Sequence, residues 1–192
     1  MSFEPITQLT GLCVPLLQDN IDTDQIIPSR EMKRVSKTGL GEGLFAGQRY
    51  REGREENPEC VLNQSQYEGA TILLSGRNFG CGSSREHAVW ALKDYGFRAI
   101  IAQSFGEIFY TNCIRNGLLP IELSEDIISE LSGDITIDLG AQAVAGYPFE
   151  IEAGHKTLLL EGLDVIALTL GHSDEIATFI TRDKHTRPWV YD

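Results

Sequence analysis

The residues with the clearest chemical content lie between Gly76 and Tyr95, GRNFGCGSSREHAVWALKDY, where the apolar run Ala70 to Leu74 gives way to small residues and then to helical periodicity. Backbone N–H groups at a helix start lack partners and carry about half a positive charge, so they favour a carboxylate or a phosphate. Gly80 and Gly82 allow a ligand to approach the main chain closely, and Arg85 adds a two-pronged donor matched to a carboxylate. Gly80-Cys81-Gly82 begins like GxGxxG, but the last position is Arg85, and the lysine of a phosphate loop is missing. A nucleophile elbow needs G-x-S-x-G, whereas this loop reads G-x-G-S-S. Nucleotide binding and serine hydrolysis are both disfavoured. Ser83-x-x-Glu86 also reads as a capping box that exists for stability alone, and the residues by themselves leave the two readings level.

Other reactive residue types are weighed the same way. Cys81 sits two positions before Ser83, and in a tight turn a small buried filler is the expected role. His87, in the first helical turn, is disfavoured as a cation by the helix dipole and is expected to be neutral. Asp19, Asp22 and Asp24 resemble a calcium loop only superficially, because the glycine and terminal glutamate of that pattern are absent. Cys13, Cys60, Cys81 and Cys113 form no CxxC pair, which argues against both a disulfide framework and a metal site, so no metal is expected on this chain.

The elements that must position these residues follow from periodicity and glycine placement. Leu12 to Leu17, an acid-rich turn and Ile26 to Pro28 predict strand, loop, strand. From Arg30 to Gly69 periodicity is weak, glycines recur, and seven of the sixteen Lys and Arg residues fall between Arg30 and Arg54, predicting a mobile basic excursion over about 30–54. The strand at Ala70 to Leu74 leads to a helix with Ala88, Ala91, Leu92 and Tyr95 on one face, Gly96 as its stop, and a strand at Ala99 to Ala102. A second unit has Ser104 and Glu107 as a capping box, Gly117 as stop and LLPIEL as the next strand. Successive βαβ units imply an α/β fold with a parallel sheet covered by helices. Beyond them the alternation of Ile135, Ile137 and Leu139 predicts a C-terminal antiparallel meander, with a hairpin turn at Gly154 and His155 into Leu158 to Leu160, and a short helix from Ser173 to Ile180.

The chain has 192 residues and a globular composition, 42% hydrophobic and 23% charged, which excludes a disordered or fibrous protein. Its formal charge of -12 repels phosphate backbones and anionic membranes, so neither nucleic acid nor a membrane is an expected partner. No apolar stretch approaches the ~18 residues of a membrane span. The first residues, MSFEPITQL, have no basic or long apolar region, so a reducing cytoplasm is the expected compartment.

Three strings in order, DTDQIIP, FGCGSSREHA and NGLLP, resemble the small subunits of 3-isopropylmalate dehydratases, in the aconitase superfamily, and the likeness spans nearly the whole chain. The resemblance implies one swivelling β/β/α domain over residues 1–192. It also implies a hydro-lyase reaction in leucine synthesis: 2-isopropylmalate and 3-isopropylmalate are interconverted through 2-isopropylmaleate. By that likeness a [4Fe-4S] cluster supplies the Lewis acid for the leaving hydroxide and belongs to a separate large subunit, so the chain is expected to act only in a heterodimer or larger assembly. Ser83 would be the alkoxide base, Ser84 and Arg85 would hold a substrate carboxylate, and Asp24 would orient a partner group, although Asp24 reads equally as a turn acid. Arg34, ahead of Arg30, Lys33 and Lys37, would supply the second carboxylate contact from the basic loop; each also reads as part of a solvated charged loop. Related hydro-lyases acting on methylmalate, homoaconitate or dimethylmalate share the motif, and a stand-alone dicarboxylate-binding module is the alternative of another class. Alone, the chain is expected to leave apolar surface open around the helix start and to self-associate.

Overall fold

The computed structural model describes residues 3–32 and 38–191. Its elements, in order, are β1 (Gln8–Leu16), α1 (Thr23–Ile26), α2 (Ala46–Arg49), β2 (Ile72–Ser75), α3 (His87–Tyr95), β3 (Ala99–Ala102), α4 (Glu107–Arg115), β4 (Leu119–Glu122) and α5 (Glu125–Glu130). They continue with β5 (Asp134–Asp138), β6 (Ala143–Val144), β7 (Tyr147–Pro148), α6 (Ala153–Glu161), α7 (Val165–Gly171) and α8 (Ser173–Thr186).

All seven strands join one sheet in the order β4-β3-β2-β1-β5-β6-β7. The β4 to β1 half is parallel and the β1 to β7 half antiparallel, so β1 is the seam between the two predicted parts. Every residue of β2 and β3 is buried, as expected for strands covered on both faces. Val14, Leu73 and Ile100 face a core closed by α1, α3 and the Leu40 to Phe45 segment. Cys13, Ile72, Leu74 and Ile101 face the opposite core, closed by Ile128 of α5 and Leu159 of α6. Three strand prolines lie where the sheet tolerates a missing N–H, one of them Pro148 on the edge strand β7. Pro120 lies on the edge strand β4, and Pro15 lies beyond Leu12, where the β1–β5 pairing has ended.

The structure corrects several local expectations. The second strand foreseen before Pro28 is instead the helical turn α1, because Asp22 caps it: its carboxylate accepts the Gln25 N–H at 2.7 Å, and the Gln25 side chain accepts the Asp22 N–H at 2.9 Å. No hairpin forms at Gly154 and His155; both lie in the first turn of α6, whose Leu158 and Leu159 fall three and four positions after His155 and face the core. The helix predicted over 173–180 continues to Thr186. Ser104 does not cap α4, which starts after Gly106 with no side-chain cap; the Ser104 hydroxyl accepts the Asn78 N–H at 2.9 Å instead.

From Leu40 onward the basic excursion is built into the fold. Leu40, Leu44 and Phe45 are fully buried, and the Phe45 N–H donates to the Ile26 carbonyl at 2.7 Å. Its bases are engaged locally. Arg49 is buried and donates to the Gly41 and Leu44 carbonyls and to the Asn63 side chain, each at 3.2 Å. Arg54 pairs with Glu31 at 3.2 Å. Apolar exposure is concentrated elsewhere than the α3 start: Ile166, Leu170, Phe179 and Trp189 lie on or after α7 and α8. Among the described residues, no helix is long and apolar enough to cross a membrane.

Candidate functional site

The turn between β2 and α3 is held on both sides by main-chain hydrogen bonds. On one side the Gly80 N–H donates to the Ile21 carbonyl at 2.7 Å and the Thr23 N–H to the Cys81 carbonyl at 3.0 Å. On the other, the Phe79 N–H donates to the Ser104 carbonyl at 3.0 Å and the Gly106 N–H to the Phe79 carbonyl at 2.9 Å. Asp19 seals the base of the turn: it accepts the Arg77 N–H at 2.8 Å and pairs with the guanidinium at 2.7 Å. The Arg77 hydrogen bonds hold the Asp19 carboxyl below the usual carboxylate range.

Two glycines shape the path. Gly80 has φ +73°, and a Cβ there would sit 2.1 Å from Cγ of Phe109, so the turn lies directly on that ring. Gly82 has φ +93° with its nearest neighbour at 3.5 Å, so its requirement is conformational.

The sequence-predicted residues Ser83, Ser84, Arg85 and Asp24 come together here. Ser83 and Ser84 are exposed just before α3, which starts with no side-chain cap at Glu86. The capping-box reading of Ser83 therefore gives way: its hydroxyl lies 3.3 Å from the Thr23 hydroxyl, and its carbonyl accepts the Arg85 N–H at 2.8 Å. The Ala88 and Val89 N–H groups donate to the Arg85 and Glu86 carbonyls at 3.3 and 3.0 Å, so what this helix start offers an anion is the positive end of its dipole together with the exposed turn before it. Arg85 forms an ion pair with Asp24, and Ser29 donates to the same carboxylate at 3.3 Å. Asp24 thus fixes the guanidinium beside the two serines while more than half of its own side chain stays in solvent. Arg34, with Lys33 and Lys37, lies outside the described residues; Arg30 is exposed and its Nε is 3.6 Å from Glu31.

The three acids of the upstream segment have separate partners: Asp19 holds Arg77, Asp22 caps α1 and Asp24 holds Arg85. Among the described residues no group of three or more His, Cys, Asp or Glu is placed to hold a metal ion. Burial, and then the Asp22 charge, push the Cys81 thiol upward, which suits a filler and not a thiolate nucleophile. His87 lies against Trp90, with ring centroids 4.7 Å apart.

Sequence reasoning missed two participants. Thr23, buried beneath Ser83, carries no local signal because its partner is sixty residues away. Asn116 of NGLLP donates to Glu86 at 2.6 Å and accepts from Trp90 Nε1 at 2.9 Å, tying the end of α4 to the start of α3. The Asp22 cap was readable, since D-x-x-Q is a capping-box spacing.

Comparison with known proteins bears on this geometry. The profile of the aconitase C-terminal domain matches residues 3–126. A protein of Cupriavidus necator named 3-isopropylmalate dehydratase small subunit is 52% identical, over 98% of this chain and 98% of its own. One of Rhodospirillum centenum with the same name is 47% identical, over 97% of this chain and 98% of its own. Among solved structures, 3-isopropylmalate dehydratase of Methanocaldococcus jannaschii superposes with a TM-score of 0.67 at 27% identity, covering 89% of this chain and 98% of that one.

Proposed function

The chain belongs to the aconitase C-terminal domain family, with relatives that are 3-isopropylmalate dehydratase small subunits, and from that premise we propose that it is the small subunit of such a hydro-lyase. The reaction interconverts 2-isopropylmalate and 3-isopropylmalate through 2-isopropylmaleate, in leucine biosynthesis in the cytoplasm, in complex with a large subunit. The observation that carries the reading is the constellation of Ser83, Ser84 and Arg85 at an uncapped helix start, with the Arg85 guanidinium held by Asp24.

Each side chain has a role in that reading. The substrate's carboxylate is received by the Arg85 fork and the Ser84 hydroxyl, beside the positive end of the α3 dipole. The Ser83 alkoxide then takes the proton from the carbon beside a carboxylate, and the C–H electron pair forms the alkene as the hydroxyl group departs. A serine is a weak base in water, so the alkoxide needs the helix start and Arg85 nearby and water kept out. The cysteines do not fit an iron–sulfur cluster: Cys13, Cys60 and Cys113 are buried, and among the described residues no group of three or more His, Cys, Asp or Glu is placed to hold a metal. The cluster, a Lewis acid for the leaving hydroxide, is assigned to the large subunit.

Reconstitution tests this. The purified chain, a cluster-bearing large subunit and the two together are each assayed for hydration of 2-isopropylmaleate and of the methylmalate, homoaconitate and dimethylmalate counterparts. Activity only in the mixture, highest on 2-isopropylmaleate, is expected. Turnover by the chain alone, or none by the mixture, refutes the reading.

A further inference from the structure

Thr23 is 1% exposed, and both hydrogen-bond partners of its hydroxyl belong to one residue: the Ser83 carbonyl at 3.2 Å and the Ser83 hydroxyl at 3.3 Å. The threonine is held in place by its own main chain. Its N–H donates to the Cys81 carbonyl at 3.0 Å and its carbonyl accepts the Ile27 N–H at 3.0 Å.

A hydroxyl has one proton to give and lone pairs to accept with. While Ser83 is neutral, both contacts are satisfied at once: Ser83 Oγ–H donates to Thr23 Oγ1, and Thr23 Oγ1–H donates to the Ser83 carbonyl. When Ser83 loses its proton, the first bond has no hydrogen. Rotation about the Thr23 Cβ–Oγ1 bond then turns the remaining proton onto the Ser83 oxygen with no movement of a heavy atom. A hydrogen bond to a charged acceptor is shorter and roughly twice as strong as a neutral one, so this exchange favours the alkoxide.

We propose that Thr23 is a positioning residue for Ser83, holding the hydroxyl in line when it is neutral and donating to it when it is ionised. The proposal rests on the dehydratase reading of Ser83 as the base. It assigns the DTDQ segment a second part besides the hold of Asp24 on Arg85. Among the described residues, the charged and titratable groups on the segments that carry or pack against Ser83 are Asp22 and Asp24 on the α1 side, Cys81 and Arg85 in the turn, and Glu86 and His87 at the α3 start. All of them are kept in the variants that test the idea.

The experiment uses the assembled two-subunit enzyme with 2-isopropylmaleate as substrate, comparing wild type with Thr23→Val and Thr23→Ser. Valine keeps the shape and removes the proton; serine keeps the proton. Losing one donor to a developing oxyanion costs about 10²-fold in favourable sites, so Thr23→Val is expected to lower kcat between about tenfold and 10²-fold. KM is expected to stay near wild type. The alkaline-rising limb of the kcat–pH profile is expected to move to higher pH, by about one unit for each tenfold loss of alkoxide. Thr23→Ser should recover most of the rate and the wild-type profile. An unchanged kcat and profile in Thr23→Val overturns the proposal. So does an equal loss in both variants with no shift of the limb, which would mark a packing role. An inactive wild-type assembly overturns the dehydratase reading itself, and is thereby distinguished from a failure of Thr23 alone.

Discussion

Replacing Gly80 by alanine is expected to destabilise the protein more than the same change at Gly82, two residues away in the same turn. The new Cβ would lie 2.1 Å from Cγ and 2.4 Å from Cδ1 of Phe109. Ordinary carbon contacts begin near 3.5 Å, so ring or turn must yield by roughly 1.4 Å. The ring has little freedom to do so: Phe109 is buried, with its centroid 5.4 Å from Phe79 and 6.4 Å from Phe105. Forcing extra carbon into such a site costs about 1–3 kcal/mol, and a non-glycine residue in an unfavourable backbone region costs about 1–3 kcal/mol more. The total for Gly80→Ala is about 2–6 kcal/mol, a large part of the ~5–15 kcal/mol that holds a typical domain together. Gly82→Ala carries only the backbone part, about 1–3 kcal/mol, because its nearest neighbour is 3.5 Å away. Urea unfolding of the two variants, fitted with a common slope, measures the difference. Phe109→Leu in the Gly80→Ala background should recover part of the loss, because the two changes share one contact. Equal destabilisation by the two alanines, or less than about 1 kcal/mol for Gly80→Ala, would refute the argument that the turn is seated on the ring.

Three further outcomes are expected. Ser83→Ala in the assembled enzyme should lower kcat by at least ~10²-fold with assembly intact, and a normal kcat would remove Ser83 from the chemistry. Hydrogen exchange should show slow Phe45 and Arg49 amides in the free chain, because these donate to Ile26 and to Phe45 within a buried segment; fast exchange that slows only in the substrate-loaded complex would return the whole basic excursion to the mobile class. The lowered pKa of Asp19 means its pairing with Arg77 favours the folded state fully above the ordinary carboxylate value of 3.8 and loses that contribution as pH falls below it, through the folded-state value. Asp19→Asn should therefore flatten that stretch of the acid limb in a Tm–pH series, and an unchanged limb would show the pair to be without consequence for stability.

Legibility followed the range of the interactions. The parallel half of the sheet could be read because the continuous apolar strands and the glycine stops at Gly96 and Gly117 are local; both glycines adopt positive φ. The turn carrying Ser83, Ser84 and Arg85 was found for the same reason. The errors arose where one local pattern supports two structures. The apolar pair Ile26 and Ile27 serves a capped helical turn as well as a strand, and Leu158 to Leu160 serves a buried helix as well as a hairpin arm. Ser104-x-x-Glu107 and Ser83-x-x-Glu86 had the spacing of caps, yet each serine hydroxyl faces a partner elsewhere in the sequence, Asn78 or Thr23. The Arg85–Asp24 pair and the Asn116 bridge to Glu86 and Trp90 join segments that only the completed sheet brings together.

The place of β1 at the seam of the sheet has a consequence for how the protein is made. It leaves the ribosome before the strands it pairs with: Leu16 meets Ser75 across a gap of 59 residues and Thr10 meets Thr136 across 126. At ~5–20 residues per second, β1 waits roughly 3–12 s for β2 and roughly 6–25 s for β5. During that time it is an apolar strand with both edges bare, the kind of segment that recruits other strands or a holding chaperone. The candidate site is assembled on the same schedule, because the turn at Gly80 is fastened to Ile21 and Thr23 only once β1 and β2 lie side by side. Synthesis rate and chaperone supply should therefore bear on the yield of active chains in addition to the stability of the finished fold.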